Sequence, residues 1–180
     1  IVSAGRVENI KSDTTITNTA GDLTIADGAQ IINNESGNIK VTNKGSKFNL
    51  QGLIKHFGQG NINTENEGGE FNIVNTGKII ATEGDILVSN KNAGALNVAG
   101  LINAIKGETT INNSSVDGMK ITSNGVIQNN DGKIEVTNSG AAGVDIQGKI
   151  IADKQDIIIT NSNSDIRIGE YASANDNYIN

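Results

Sequence analysis

Apolar residues along this 180-residue chain come in short alternating runs that return at a fixed interval. A Val-Thr-Asn-like motif ends at Asn18, Asn43, Asn66, Asn90, Asn113, Asn138 and Asn161, at spacings of 25, 23, 24, 23, 25 and 23 residues. Two positions before each asparagine stands an apolar residue or threonine: Ile16, Val41, Thr64, Val88, Ile111, Val136 and Ile159. A second column holds apolar pairs separated by one residue, as Leu23/Ile25, Phe48/Leu50, Phe71/Ile73, Leu96/Val98, Met119/Ile121, Val144/Ile146 and Ile166/Ile168. A glycine follows at Gly28, Gly52, Gly77, Gly100, Gly125 and Gly148, and then a third apolar patch such as Leu53-Ile54, Ile79-Ile80 or Ile150-Ile151. Period-2 runs of this length predict strands, and the Gly, Asn, Asp and Ser residues between them predict turns.

The repeat unit has two coils and about 48 residues. Segments 96–111 and 144–159 align at this offset, as do 70–90 and 118–138. One coil type passes directly to glycine, as in Val98-Ala99-Gly100; the other inserts two residues, as in Ile73-Val74-Asn75-Thr76-Gly77. The opening Gly5–Ile16 matches Gly100–Ile111, so the pattern runs from about residue 2 to residue 168.

One such coil cannot bury its own apolar face, whereas a stacked neighbour can cover it. The prediction is therefore an all-β chain, a right-handed parallel β-helix (solenoid) of about seven coils of 23–25 residues. Residues 1–170 would form a single segment of tandem coils, with 171–180 a tail or the start of a next coil. Coils stacked at roughly 4.8 Å would give a rod on the order of 35 Å long, with Phe48 and Phe71 stacked on adjacent rungs. The interval is too long for an 18-residue left-handed hexapeptide coil and too short for a propeller blade of about 40–45 residues, and the strict leucine-rich-repeat consensus is missing.

Composition supports a repeat array. The chain has 22 Gly, no Pro, Cys or Trp, three Phe and two Tyr, and its apolar residues are mainly Ile, Val and Leu. A net charge of −6 without a Lys/Arg cluster argues against nucleic-acid binding. No apolar run approaches the roughly 20 residues of a membrane-spanning helix.

Candidate chemistry is sparse. The seven asparagines read as a structural ladder, their amides bonding from coil to coil and capping a turn. The threonines before them (Thr17, Thr42, Thr137, Thr160) hint at an ordered-water face, but Glu65, Ser89 and Asn112 interrupt the row. Polysaccharide-cleaving sites need clustered carboxylates with a nearby cation. Here the only arginines, Arg6 and Arg167, lie near opposite ends, and Asp131, Glu135, Asp145, Asp153 and Asp156 stand singly. Asp145, Glu135 and Asp156 are the set nearest to lining one face, and solvated surface is the expectation for them. His56, the sole histidine, has no Cys or His partner for a metal and is expected in surface or turn packing. Asn34-Glu35-Ser36, Asn112-Asn113-Ser114 and Asn113-Ser114-Ser115 fit the glycosylation acceptor pattern. The residues thus predict no enzyme, no cofactor and no metal site.

The stretches GDILVSNKNAGALNVAGLINA and GKIEVTNSGAAGVDIQGKIIA, followed by DIIITNSNSDIRIGEYASANDNYIN, resemble the repeat region of the large exoproteins exported by two-partner secretion. These are the filamentous-haemagglutinin-like adhesins, and the similarity is greatest to the leukotoxin-type filamentous adhesins of anaerobic Gram-negative bacteria. The resemblance covers nearly the whole chain. It implies a filament that is secreted or held at the bacterial surface, with an outer-membrane secretion partner for the full-length protein. It further implies a host-cell receptor or glycan as ligand, and a role in attachment or leukocyte damage. No residue set carries over, because such proteins act through extended surfaces. The rival readings are a carbohydrate-active β-helix, such as a lyase or tailspike, and a purely structural spacer.

Overall fold

The computed structural model describes residues 2–3, 5–91 and 94–169. Expectations for residues 171–180 fall outside this range. Within it the chain is all-β, with 22 short strands arranged in three parallel sheets. The first sheet contains β1 (Val2–Ser3), β4 (Leu23–Ile25), β7 (Phe48–Leu50), β10 (Phe71–Ile73), β13 (Leu96–Val98), β16 (Met119–Ile121), β19 (Val144–Ile146) and β22 (Ile166–Ile168). The second contains β2 (Arg6–Asn9), β5 (Gln30–Asn33), β8 (Leu53–His56), β11 (Lys78–Ala81), β14 (Leu101–Ala104), β17 (Val126–Asn129) and β20 (Lys149–Ala152). The third contains β3 (Thr14–Asn18), β6 (Ile39–Asn43), β9 (Ile62–Asn66), β12 (Ile86–Asn90), β15 (Thr109–Asn113), β18 (Ile134–Asn138) and β21 (Ile157–Asn161). Each coil gives one strand to each sheet, and each strand pairs with the equivalent strand of the next coil. The molecule is therefore a parallel β-helix of about seven turns, and the right-handed rule for parallel crossovers sets the expected winding.

The register is unshifted. Phe71 lies beside Phe48 and Leu96, Ile79 beside Ile54 and Ile102, and Asn90 beside Asn66 and Asn113. Alternation sends one set of side chains of every strand inwards. The resulting core is almost wholly aliphatic and is shared by all three sheets. Phe48 and Phe71 stack with ring centroids 4.3 Å apart and planes within 6°, a contact worth about 0.5–1.5 kcal/mol beyond the area it buries.

The two coil types differ at the corner between the first and second sheets. In the longer type the insertion closes a four-residue turn, with the amide of Ala29 donating to the carbonyl of Ala26 (3.0 Å), Gly77 to Val74 (2.8 Å) and Gly125 to Thr122 (2.8 Å). The shorter type omits the turn, and Gly52, Gly100 and Gly148 donate directly to Ile25, Ile73 and Ile121 of the preceding coil. This corrects one column of the sequence reading. Strand pairing puts Ala29, not Gly28, in line with Gly52, Gly77, Gly100, Gly125 and Gly148. Gly28 sits one position earlier, inside the turn, at φ +78°, where glycine avoids the Cβ penalty.

At the corner between the second and third sheets a tighter glycine column was not foreseen. Gly37, Gly60, Gly84, Gly107 and Gly132 stack one above another, and a Cβ on any of the last four would come within 1.6–2.1 Å of the glycine carbonyl oxygen below. Their recurrence at the coil interval was visible in the sequence; its meaning depends on which backbone lies beneath each glycine.

Candidate functional site

The seven asparagines end the seven strands of the third sheet and form one column. The side-chain amide Nδ2 of each donates to the Oδ1 of the next: Asn18 to Asn43, Asn43 to Asn66, Asn66 to Asn90 and Asn90 to Asn113 at 2.8 Å, then Asn113 to Asn138 and Asn138 to Asn161 at 2.7 Å. A second hydrogen of most of these amides closes the following turn. Asn18 donates to Gly21, Asn43 to Ser46, Asn66 to Gly69, Asn90 to Gly94 and Asn138 to Ala142. All but Asn161 are buried. An interior amide with both hydrogens and its carbonyl oxygen engaged has little capacity left for a ligand, so this column holds the coils together.

Two further polar ladders escaped the sequence reading. The carboxylate or amide oxygens of Asp13, Asn38, Asn61 and Asp85 accept the backbone N–H of the residue one coil on, at 2.7–3.0 Å. Their signal was a run of Asp and Asn at the coil interval. The other polar column lies at the last position of the second sheet, occupied in turn by Asn9, Asn33, His56, Ala81, Ala104, Asn129 and Ala152. Asn33 accepts a hydrogen bond from Thr14, and Asn129 one from Thr109, each at 2.6 Å. Elsewhere the position of these threonines is held by isoleucine. Each asparagine also donates to two backbone carbonyls, Asn33 to Ser12 and Asn38, Asn129 to Gly107 and Lys133. At Asn33 and Asn129 the polar substitution is thus made in pairs, and the buried groups are satisfied.

His56 belongs to the same column, in line with Ala104, and of the surface or turn packing expected for it the structure shows turn packing, with the side chain fully buried. Its Nδ1 accepts the amide of Gly58 (3.0 Å), which leaves Nε2 to donate to the carbonyl of Gly37 (2.6 Å). With both ring nitrogens committed to backbone, the imidazole braces a corner. No group of three or more His, Cys, Asp or Glu side chains suited to a metal ion occurs among the described residues.

The structure does not gather Asp145, Glu135 and Asp156. Asp145 is on the first sheet, Glu135 on the third, and Asp156 in the turn before β21. Thr17, Thr42, Thr137 and Thr160 do share a row with Glu65, Ser89 and Asn112, and those three side chains break it. Of the asparagines in acceptor motifs, Asn113 is buried in the ladder, Asn112 is exposed, and Asn34 donates to Glu8 (2.9 Å).

Charge is organised between coils. Lys47 bridges to Glu70 (3.0 Å), Lys106 to Glu83 (2.7 Å), Lys154 to Asp131 (2.6 Å), Lys44 to Glu67 (3.6 Å) and Lys91 to Glu65. The hydrogen bond from Lys47 holds the Glu70 carboxyl below the usual carboxylate range, and that from Lys106 does the same for Glu83. The same pairs raise Lys47, Lys106, Lys91 and Lys154 above the usual lysine range. These side chains are solvent-facing, so water and salt screen the pairs and each contributes little to stability.

The first sheet presents the most varied outer face. From β4 to β19 the middle residue of each three-residue strand points outwards between two buried neighbours, whereas all three residues of β22 are exposed. In chain order this row reads Thr24, Asn49, Asn72, Asn97, Lys120, Asp145 and Arg167. Asn97 donates to Asn72 (2.9 Å), Asn72 to Asn49 (3.1 Å), and Lys120 pairs with Asp145 (3.3 Å). Along its second half runs an open groove of about 440 Å³.

No known protein family, curated protein or solved structure matches the chain.

Proposed function

We propose that this chain is a segment of the rigid shaft of a large filamentous adhesin or leukotoxin-type exoprotein, secreted or displayed on a bacterial surface. The observation that carries the reading is the asparagine column, hydrogen-bonded without a break through seven consecutive coils. Together with the unshifted register, it describes a solenoid built to be extended rather than to enclose a pocket, since each coil contacts only its neighbours and more can be added without altering those present. Outward-facing rows run from coil to coil along the rod, so weak contacts to a host-cell receptor or glycan would add along it. Export through an outer-membrane partner belongs to the same proposal.

The test is binding of the fluorescently labelled chain to intact epithelial cells and leukocytes. Saturable binding, competed by unlabelled chain, is the expected result. Absence of binding up to about 100 µM, a concentration that would reveal interactions of roughly −5 to −6 kcal/mol, would reduce the segment to a spacer. The spacer reading has one observation in its favour: turns between strands vary by only one or two residues, and no large loop projects from the described coils.

A further inference from the structure

The groove on the first sheet lies beside the corner that leads from the third sheet to the first. Connections from the third sheet to the first are four residues long at 19–22, 44–47, 67–70 and 162–165, but five at 91–95, 114–118 and 139–143. The longer connections occur in three successive coils, and the groove lies beside them. Its floor includes Asn97, Lys120, Asp145 and Arg167, one outward side chain from each of four consecutive coils, and Asp117 and Asp165 stand at its side. We propose that this groove binds a linear, uncharged oligosaccharide lying parallel to the helix axis. The proposal rests on the adhesive reading above and gives it a ligand class and a place.

Several properties of the groove select that chemistry. A volume of about 440 Å³ falls in the range of ligand sites, about 300–1,000 Å³. No aromatic side chain lines it, which disfavours flat apolar ligands. Its polar groups alternate between donors and acceptors at the inter-strand spacing of roughly 4.8 Å, a rise comparable to the length of one sugar ring. Hydroxyl groups donate and accept, so one ring per coil can meet amide, ammonium, carboxylate and guanidinium in turn. Three carboxylates against two cations make a polyanion a poor occupant. Asp145 receives Lys120 (3.3 Å) and Gln147 (3.1 Å) on Oδ2, while its Oδ1 has no hydrogen-bond partner. That oxygen is itself buried, so it does not face the groove, and the carboxylate meets a ligand only alongside its bonds to Lys120 and Gln147.

The test is a titration of the isotope-labelled 180-residue chain with chitohexaose, cellohexaose and maltohexaose, followed by amide chemical shifts. A heparin-derived hexasaccharide serves as the anionic comparison. Saturable shifts at Asn97, Lys120, Asp145 and Arg167 with at least one uncharged hexasaccharide are expected, with none at these residues from heparin. Asn97→Ala and Asp145→Ala should each weaken the response about ten-fold, a loss of about 1.4 kcal/mol. Asp145→Asn, which keeps shape and one acceptor, provides a second variant if the alanine protein does not fold. Preferential binding of the heparin fragment, shifts centred elsewhere, or no shifts from any uncharged sugar at about 10 mM would overturn the proposal. Cell attachment that persists in a chain failing this titration removes the groove but not the adhesive role. Sugar binding without cell attachment does the reverse.

Discussion

The tetrapeptide Lys-Ile-Ile-Ala occurs twice in the second sheet, as β11 and as β20, in two different environments. In β11, Ile79 and Ala81 are completely buried; in β20, Ile150 and Ala152 are half-buried and Ile151 is exposed. The difference lies in the neighbours. Strand β11 pairs with β8 on one side and β14 on the other, whereas β20 pairs with β17 alone among the described residues. The third sheet repeats the lesson, with β18 alternating buried and half-buried residues and β21 largely exposed. Burial here is a property of a coil and the two coils that sandwich it, so the stability of a strand depends on nearest-neighbour contacts rather than on its own sequence.

The asparagine ladder should separate the two regions most. Asn90→Ala strands one N–H of Asn66 and the carbonyl of Gly94, while the oxygen of Asn113 keeps its bond from Ser115. At about 1–3 kcal/mol for each buried group left unsatisfied, the expected loss is roughly 2–6 kcal/mol, measured by urea denaturation. Asn161→Ala removes a part-buried bond from Asn138 and exposed bonds to Ser164 and Asp165, where water can take the partners' place, and should cost under about 1 kcal/mol. Equal losses would show that the ladder does not share load between coils.

Next comes the paired tetrapeptide itself. Ile79→Ala should cost about 2–5 kcal/mol, the range for a buried aliphatic truncated in a close-packed core. Ile150→Ala, already half in solvent, should cost about 1 kcal/mol. Denaturation midpoints of the two variants check this directly.

A smaller effect sharpens the account of the buried polar corner. Thr109→Ile alone strands the oxygen of Asn129 and should cost about 1–3 kcal/mol. Adding Asn129→Ala restores the Ile–Ala combination found where Ile86 and Ala104 occupy these columns, and the double variant should recover most of the loss. A double-mutant cycle showing additivity would remove the pairwise interpretation.

The smallest effect is electrostatic and should not distinguish the two regions, because the lysine–carboxylate pairs extend to the last coil through Lys154 and Asp131. Glu70 and Glu83 titrate lower when folded than unfolded, so their contribution is present above the ordinary carboxylate range and is lost as pH falls through the lowered folded values. Lys47 and Lys106 titrate higher when folded, so theirs is complete below the ordinary lysine range and is lost as pH rises through the raised folded values. Denaturation midpoints should be flat from about pH 6 to 9 and decline on both sides. Lys106→Gln should flatten both limbs slightly.

The architecture was legible in the sequence because it is written seven times. The asparagine column, the apolar pairs and the Phe48–Phe71 stack all follow from an interval that any one coil leaves ambiguous. What was not legible depends on which residues lie above one another. Gly28 took the place of Ala29 in the sequence alignment because glycine was matched to glycine, whereas the turn hydrogen bond fixes the register. The column Gly37–Gly132 was equally periodic, but only the carbonyl oxygens beneath it explain why no Cβ fits. His56 gave no sign of burial, since its partners are backbone atoms of Gly37 and Gly58. The groove could not be read from its charges, because Asn97, Lys120, Asp145 and Arg167 are far apart in sequence and are aligned only by the stacking.

The most direct test of the nearest-neighbour account is native-state hydrogen exchange comparing the amides of Ile79 and Ile80 with those of Ile150 and Ile151. The sequences are identical, so intrinsic exchange chemistry is nearly the same and any difference reports the structure. The account predicts that β11 exchanges only through the most global opening measured, while β20 exchanges through a local opening of distinctly lower free energy. Equal protection of the two strands would contradict it, and would mean that each coil is held by its own residues rather than by the coils on either side.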